Sequence, residues 1–138
     1  MRDVTELDAI GQAQAVASGQ VSAAELLDAA IARAEAVNPA LNFMAQKLYD
    51  RAQTAAAGPF AGAFAGVPFL VKDLHVHIKG ERSGEGSRLW DHFRPDYNST
   101  LYDRITAAGF NAFGKTTSLE LGLTVTTESA AYGLTRNP

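Results

Sequence analysis

The segment Gly66-Val-Pro-Phe-Leu-Val-Lys-Asp73 constrains this chain more than any other stretch. Val67 to Val71 is an apolar run without alternation, which predicts a strand covered on both faces rather than an edge strand. Pro68 fits near the first residue of such a strand, where no ladder donor is yet needed. Lys72 follows at once, with Asp73 behind it. A lysine at the carboxyl end of a buried strand stands where open α/β sheets place their ligands. The plainer alternative is a solvated Lys-Asp pair that closes the strand.

What can surround that strand is bounded by length and charge. A chain of 138 residues suits one domain and can bury a core. Its net charge of -3 gives no basic surface for nucleic acid or anionic lipid. Without cysteine there can be no disulfide, thiol nucleophile or thiolate metal site. No apolar stretch approaches the ~20 residues needed to span a bilayer, and the first residues lack a hydrophobic signal core. These features predict a soluble, cytoplasmic protein with neither a nucleic acid nor a membrane as partner.

Three helices are expected before the strand. The first runs from Asp3 to Ala17, with Asp3 and Glu6 as a capping pair, Leu7, Ile10 and Ala13 or Ala15 on one side, and Gly19 as its stop. The second opens on the capping box Ser22-Ala-Ala-Glu25, carries Leu26, Leu27, Ala30, Ile31, Ala34 and Val37 as an apolar stripe, and ends before Asn38-Pro39. The third spans Ala45 to Ala57. Beyond the strand, Leu74 to Ile78 can continue extended, and Gly80 to Ser87 is glycine-rich enough to predict a mobile loop. Arg88 to Phe93 suits a helical turn. Ser99 caps a helix bearing Leu101, Ile105 and Ala108 that stops at Gly109, and Phe110 to Lys115 suits a second strand. The fold class expected is α/β, an N-terminal helical layer followed by the first strands of a mixed sheet.

Several motifs compete for a chemical role. Gly109-Phe-Asn-Ala-Phe-Gly114-Lys115-Thr116 matches the phosphate-binding pattern G-x-x-x-x-G-K-[ST] letter for letter. That motif needs a strand before it and a helix after it, whereas here an amphipathic helix precedes it and its interior suits a strand. His75 and His77 would face one way on a strand, as metal ligands do, with a third ligand from His92, Asp91 or a glutamate. Local hydrogen bonding is the plainer use of both. Serines 83, 87, 99, 118 and 129 lie outside any Gly-x-Ser-x-Gly elbow. Arg136 could hold a carboxylate, although an Arg-Asn-Pro turn more often serves backbone hydrogen bonds.

Taken in order, Gly66-Val-Pro-x-x-Val-Lys72-Asp73, Ser83-Gly-x-Gly-Ser87, Ala107-Ala-Gly109, Gly114-Lys-Thr116 and Gly133-x-Thr-Arg-Asn-Pro138 resemble the amidase signature family. The similarity runs from about residue 20 to the last residue. Leu74 and Thr117 stand where many members have asparagine, and Asn111 interrupts a strand that is usually more apolar. Phe69 to Leu74 and Thr126-Thr-Glu128 look most like members acting on small or synthetic aliphatic amides. The resemblance implies amide hydrolysis by a Ser–cis-Ser–Lys triad in which Lys72 is the lysine, with no cofactor and no metal. It implies that residues 1–138 are the N-terminal part of one amidase-signature domain, with a helical layer over 1–57 and the start of the α/β core over 58–138. Gly122, Leu123 and Thr124 fall where the family's substrate pocket is partly lined; a plain connector is the alternative. Both serines would follow Pro138, so this chain alone is expected to be inactive. Uncovered strand edges would make it self-associate, and a homodimer is one state open to the full-length enzyme. The partner implied is a small-molecule amide. A non-catalytic remnant or interaction module on the same scaffold is the rival reading, and the sequence downstream of Pro138 separates the two.

Overall fold

A computed structural model describes residues 4–138. In chain order it contains helix α1 (Ala9–Ala17), helix α2 (Ala23–Leu41), strand β1 (Met44–Lys47), helix α3 (Tyr49–Ala56) and strand β2 (Pro68–Lys72). Helix α4 (Thr100–Ala107), strand β3 (Asn111–Thr116) and the short strands β4 (Glu128–Ser129) and β5 (Gly133–Leu134) follow. The first three strands form a sheet in the order β1-β3-β2, and β4 and β5 pair as a hairpin. β1 is antiparallel to β3. Asn111 N–H donates to Val67 O at 2.8 Å and Asp73 N–H to Thr116 O at 3.0 Å, so β2 and β3 run in the same direction. The fold is therefore mixed α/β. Among the described residues no helix is long and apolar enough to cross a membrane.

The helix starts obey local rules. The Asp8 carboxylate accepts Gly11 N–H at 2.8 Å and begins α1 at Ala9. The expected start at Asp3 lies outside the described residues, and Val4–Glu6 is a separate 3-10 turn. Ala13 and Ala15 face inward while Ile10 is exposed. At α2 the capping box closes in both directions: Ser22 N–H donates to Glu25 Oε2 at 2.9 Å, and Glu25 N–H to Ser22 Oγ at 3.1 Å. Leu26, Leu27 and Ala34 from its stripe are buried.

Two boundaries differ from expectation. α2 continues through Pro39 to Leu41. The Asn38 side-chain oxygen accepts both Phe43 and Met44 N–H groups at 3.0 Å, and Asn42, at φ 53, makes the actual stop. The expected third helix is also shorter, because Met44–Lys47 is strand and α3 begins only at Tyr49. Ala45, Gln46 and Lys47 favour helix locally, but pairing with β3 claims their backbone.

The chain divides into two compact units. One comprises Met1–Ala36, Leu48–Phe69 and Arg104–Phe113. Its small-residue loop lies against the end of α4, with Phe64 N–H donating to Ala108 O at 2.8 Å. A Cβ on Gly62 (φ +102) would come within 2.5 Å of Ala108 backbone atoms, so only glycine permits that approach. Phe110 stacks on Phe64 at 4.4 Å and packs on Phe69 at 4.8 Å. Asn111, which looks out of place in a buried strand, donates its side-chain amide to Ala52 O at 3.0 Å. A buried amide is tolerated because it has that partner.

The other unit comprises Val37–Lys47, Leu70–Asp103 and Gly114–Pro138. Its apolar core includes Val71, Val76 and Ile78. Beside that core lies a polar one, with Asp73, Ser83, Lys115 and Ser118 all at 1% exposure or less. The expectation that β2 is covered on both faces is met only in part, since Pro68, Phe69 and Leu70 are half-buried. The chain beyond Lys72 turns rather than extending, with His75 at φ 60. Gly84 to Ser87, expected in a mobile loop, is irregular but buried.

Candidate functional site

The site grows from the end of β2. Side chains alternate across a strand, and here Val71 is buried, Lys72 exposed and Asp73 buried again. Lys72 thus emerges on one side while Asp73 plunges into the polar core. Every polar group of Asp73 is engaged. Its N–H donates to Thr116 O at 3.0 Å, and its carbonyl accepts Ser118 Oγ–H at 3.1 Å. Its carboxylate accepts Gly84 N–H at 3.3 and 3.2 Å, Lys115 Nζ at 3.2 Å and the Tyr132 hydroxyl.

The remaining members of the cluster hold one another. Lys115 Nζ also donates to Arg82 O at 2.7 Å. The Arg82 guanidinium lies 5.3 Å from the Tyr132 ring centroid, pairs with Asp91 at 2.6 Å and donates to Ala45 O at 2.8 Å. A Cβ on Gly84 would sit 2.3 Å from the Tyr132 hydroxyl and 3.0 Å from Asp73 Oδ2, so the bare glycine lets its N–H reach the carboxylate. Burial pushes the Lys115 ammonium below the ordinary lysine value, against the pull of Asp73. Burial first, and then the hydrogen bond to Asp73, pushes the Tyr132 phenol up.

Lys115 is the residue that sequence reasoning missed. The phosphate-loop pattern that contains it is instead the buried strand β3, and its amine is committed to Asp73 and Arg82. Tyr132 and Arg82 carried no signal at all, since their roles arise only from partners 59 and 33 residues away, respectively.

The two histidines do meet, although not on a strand. His75 Nδ1 lies 3.3 Å from Glu85 Oε2, and His77 Nε2 lies 3.5 Å from Glu85 Oε1. His77 Nδ1 pairs with the Tyr97 hydroxyl at 2.8 Å, and Asp91, one of the suggested third ligands, pairs with Arg82. Among the described residues no group of three or more His, Cys, Asp or Glu is arranged to hold a metal ion. His75, His77, Glu85, Trp90, Phe93 and Leu121 line a cavity of about 380 Å³. His75, Glu85 and Leu121 have φ of 60, 52 and 51, a left-handed conformation costing non-glycine residues about 1–3 kcal/mol each. Glu85 holds the other two there, its carboxylate accepting His75 N–H at 3.0 Å and its carbonyl accepting Leu121 N–H at 2.9 Å.

The suggested substrate-lining residues stand at the surface. Gly122 ends a 3-10 turn at φ +75, Leu123 is 80% exposed, and Thr124 Oγ1 donates to Thr126 O at 2.9 Å. Of the candidate serines, Ser83 faces Glu85 Oε1 at 3.4 Å, Ser87 donates to Glu120 at 2.7 Å, and Ser118 serves Asp73. Ser99 caps α4 and Ser129 accepts Tyr132 N–H at 3.2 Å. Arg136 donates its backbone N–H to Leu41 O at 2.8 Å.

Comparison with known proteins places this architecture. The chain is 42% identical over 136 residues to the 6-aminohexanoate-cyclic-dimer hydrolase of Paenarthrobacter ureafaciens, covering 95% of this chain and 27% of that protein. It is 40% identical over 135 residues to the putative amidase AmiC of Mycobacterium bovis, covering 96% of this chain and 28% of that one. The solved 6-aminohexanoate cyclic dimer hydrolase with bound substrate superposes at a TM-score of 0.91, with 40% identity over 99% of this chain and 28% of that structure. The chain thus spans somewhat more than a quarter of the length of these relatives. The family model described as Amidase matches residues 25–138, so the chain belongs to the amidase signature family.

Proposed function

We propose that these residues are the N-terminal part of a single amidase-signature domain, in an enzyme that hydrolyses carbon–nitrogen amide bonds, and that Lys72 is its general base. The observation that carries this reading is the stance of Lys72, exposed at the carboxyl end of β2 on a backbone anchored at the next residue. An amine held there can take a proton from a hydroxyl brought to it. In the reaction, a nucleophilic serine attacks the amide carbonyl, and its proton passes through a second, bridging serine to the neutral Lys72 amine. The tetrahedral intermediate collapses, the leaving amine takes the proton, and water then hydrolyses the acyl-enzyme ester. Backbone N–H groups stabilise the oxyanion. Both serines and that backbone belong to chain beyond Pro138, so residues 1–138 alone are inactive. Gly122, Leu123 and Thr124 line part of the substrate pocket. The substrate is a small-molecule amide; the relatives whose names specify 6-aminohexanoate cyclic dimers favour an aliphatic one.

The test is amide hydrolysis by the full-length protein and its Lys72→Ala variant. Loss of the base should lower kcat/KM by about 10²–10⁴-fold. Activity retained in Lys72→Ala, or turnover by residues 1–138 alone, would overturn the reading. A full-length chain lacking the downstream serines would favour a non-catalytic module instead.

A further inference from the structure

We propose that Asp73 is a positioning residue for the reaction at Lys72, clamped by Lys115, Gly84 and Tyr132 so that the backbone from which the neighbouring amine projects is held in place. The inference rests on the reading of Lys72 as general base.

Asp73 is 1% exposed and Lys115 fully buried. A buried ion pair is a poor device for stability alone, because replacing both ions by well-packed apolar residues is often neutral or better. Hydrogen bonds do, however, fix direction. Here the tethers converge on one residue from separate pieces of chain. Thr116 and Lys115 come from β3, and Ser118 lies two residues past its end. Gly84 comes from the glycine-rich segment, and Tyr132 from the turn between β4 and β5. Such a residue cannot shift without breaking bonds to several neighbours. Because Lys72 directly precedes it in the chain, as the last residue of β2, the backbone under the amine is held to the same tolerance. Reacting groups misplaced by about 1 Å can lose about a hundredfold in rate, so a clamp of this kind acts on turnover rather than on substrate affinity.

The experiment compares Lys72→Ala, Asp73→Asn, Tyr132→Phe, Lys115→Met and Lys115→Arg in the full-length enzyme, reading kcat and KM separately at a temperature where each variant is folded by circular dichroism. Asp73→Asn should lower kcat about a hundredfold, and Tyr132→Phe about tenfold, with KM within about threefold. Lys115→Arg, which keeps the charge, should retain more kcat than Lys115→Met. If Asp73→Asn does not fold, Tyr132→Phe decides, since it removes one hydroxyl and leaves the ring in place. Folded clamp variants with wild-type kcat, beside an inactive Lys72→Ala, would overturn this inference and leave the base assignment standing. An active Lys72→Ala would remove both.

Discussion

Lys72 and Lys115 lie near the ends of neighbouring strands, yet their surroundings are opposite. Lys72 closes β2 with its side chain in solvent, whereas Lys115 lies in β3 without exposed surface. The difference comes from what covers each face. Over Lys115 the chain brings the Arg82 carbonyl and the Asp73 carboxylate. These offset an ammonium desolvation that costs several kcal/mol. The lysine with a covered amine, bonded to both, is thereby committed to structure, and the exposed one is the lysine proposed above as the base.

Substituting the two lysines in turn should break this contrast if it is wrong. Lys115→Met leaves the Asp73 carboxylate buried without its cation and should destabilise the fold by about 3–5 kcal/mol. Lys72→Met removes an exposed charge and should stay within about 0.5 kcal/mol of the parent. Urea unfolding of both variants measures the gap, and equal effects would erase the distinction. Next in size, Gly84→Ala should cost about 1–3 kcal/mol in the same assay, because its methyl group displaces the Tyr132 hydroxyl from the buried carboxylate. An unchanged midpoint would mean that the hydroxyl contributes nothing to the clamp.

The smallest effect belongs to an exposed pair made locally. The hydrogen bond from the Ser22 side chain, and then that from its backbone, hold the Glu25 carboxyl below its usual value of 4.5. A lowered carboxyl value stabilises the folded state above the unfolded value, and that contribution disappears as pH falls through the folded one. An NMR titration of Glu25 should therefore find it below 4.5, and Ser22→Ala should return it toward that value with little change in global stability. A large stability loss would place this surface pair beside the buried one and blur the comparison.

The parts legible in the sequence are those written in nearest neighbours. Ser22 and Glu25 sit one helical turn apart, so their reciprocal bonds follow from spacing alone. Ser99 before α4 and Gly109 after it, at φ +102, are equally local. The place of Lys72 at the end of β2 is likewise local, because an apolar run ends on it. Met44–Lys47 was not legible as strand, because its partner lies about 70 residues away in β3 and its own residues favour helix. The glycines at 84 and 86 suggest a flexible loop, but they are bare because other groups press on them: the Tyr132 hydroxyl on the first, the Ser118 and Leu119 carbonyls on the second.

Composition and pattern by themselves determined the starts of α2 and α4, the run from Val67 to Lys72, the α/β class and the family. Tertiary structure alone decided which lysine is buried, which tyrosine reaches Asp73 and why Asn111 is tolerated in a covered strand. The physical reason is range. Caps and periodicity act over about one helical turn, whereas the desolvation of a charge depends on every group that folds over it, wherever that group stands in the chain.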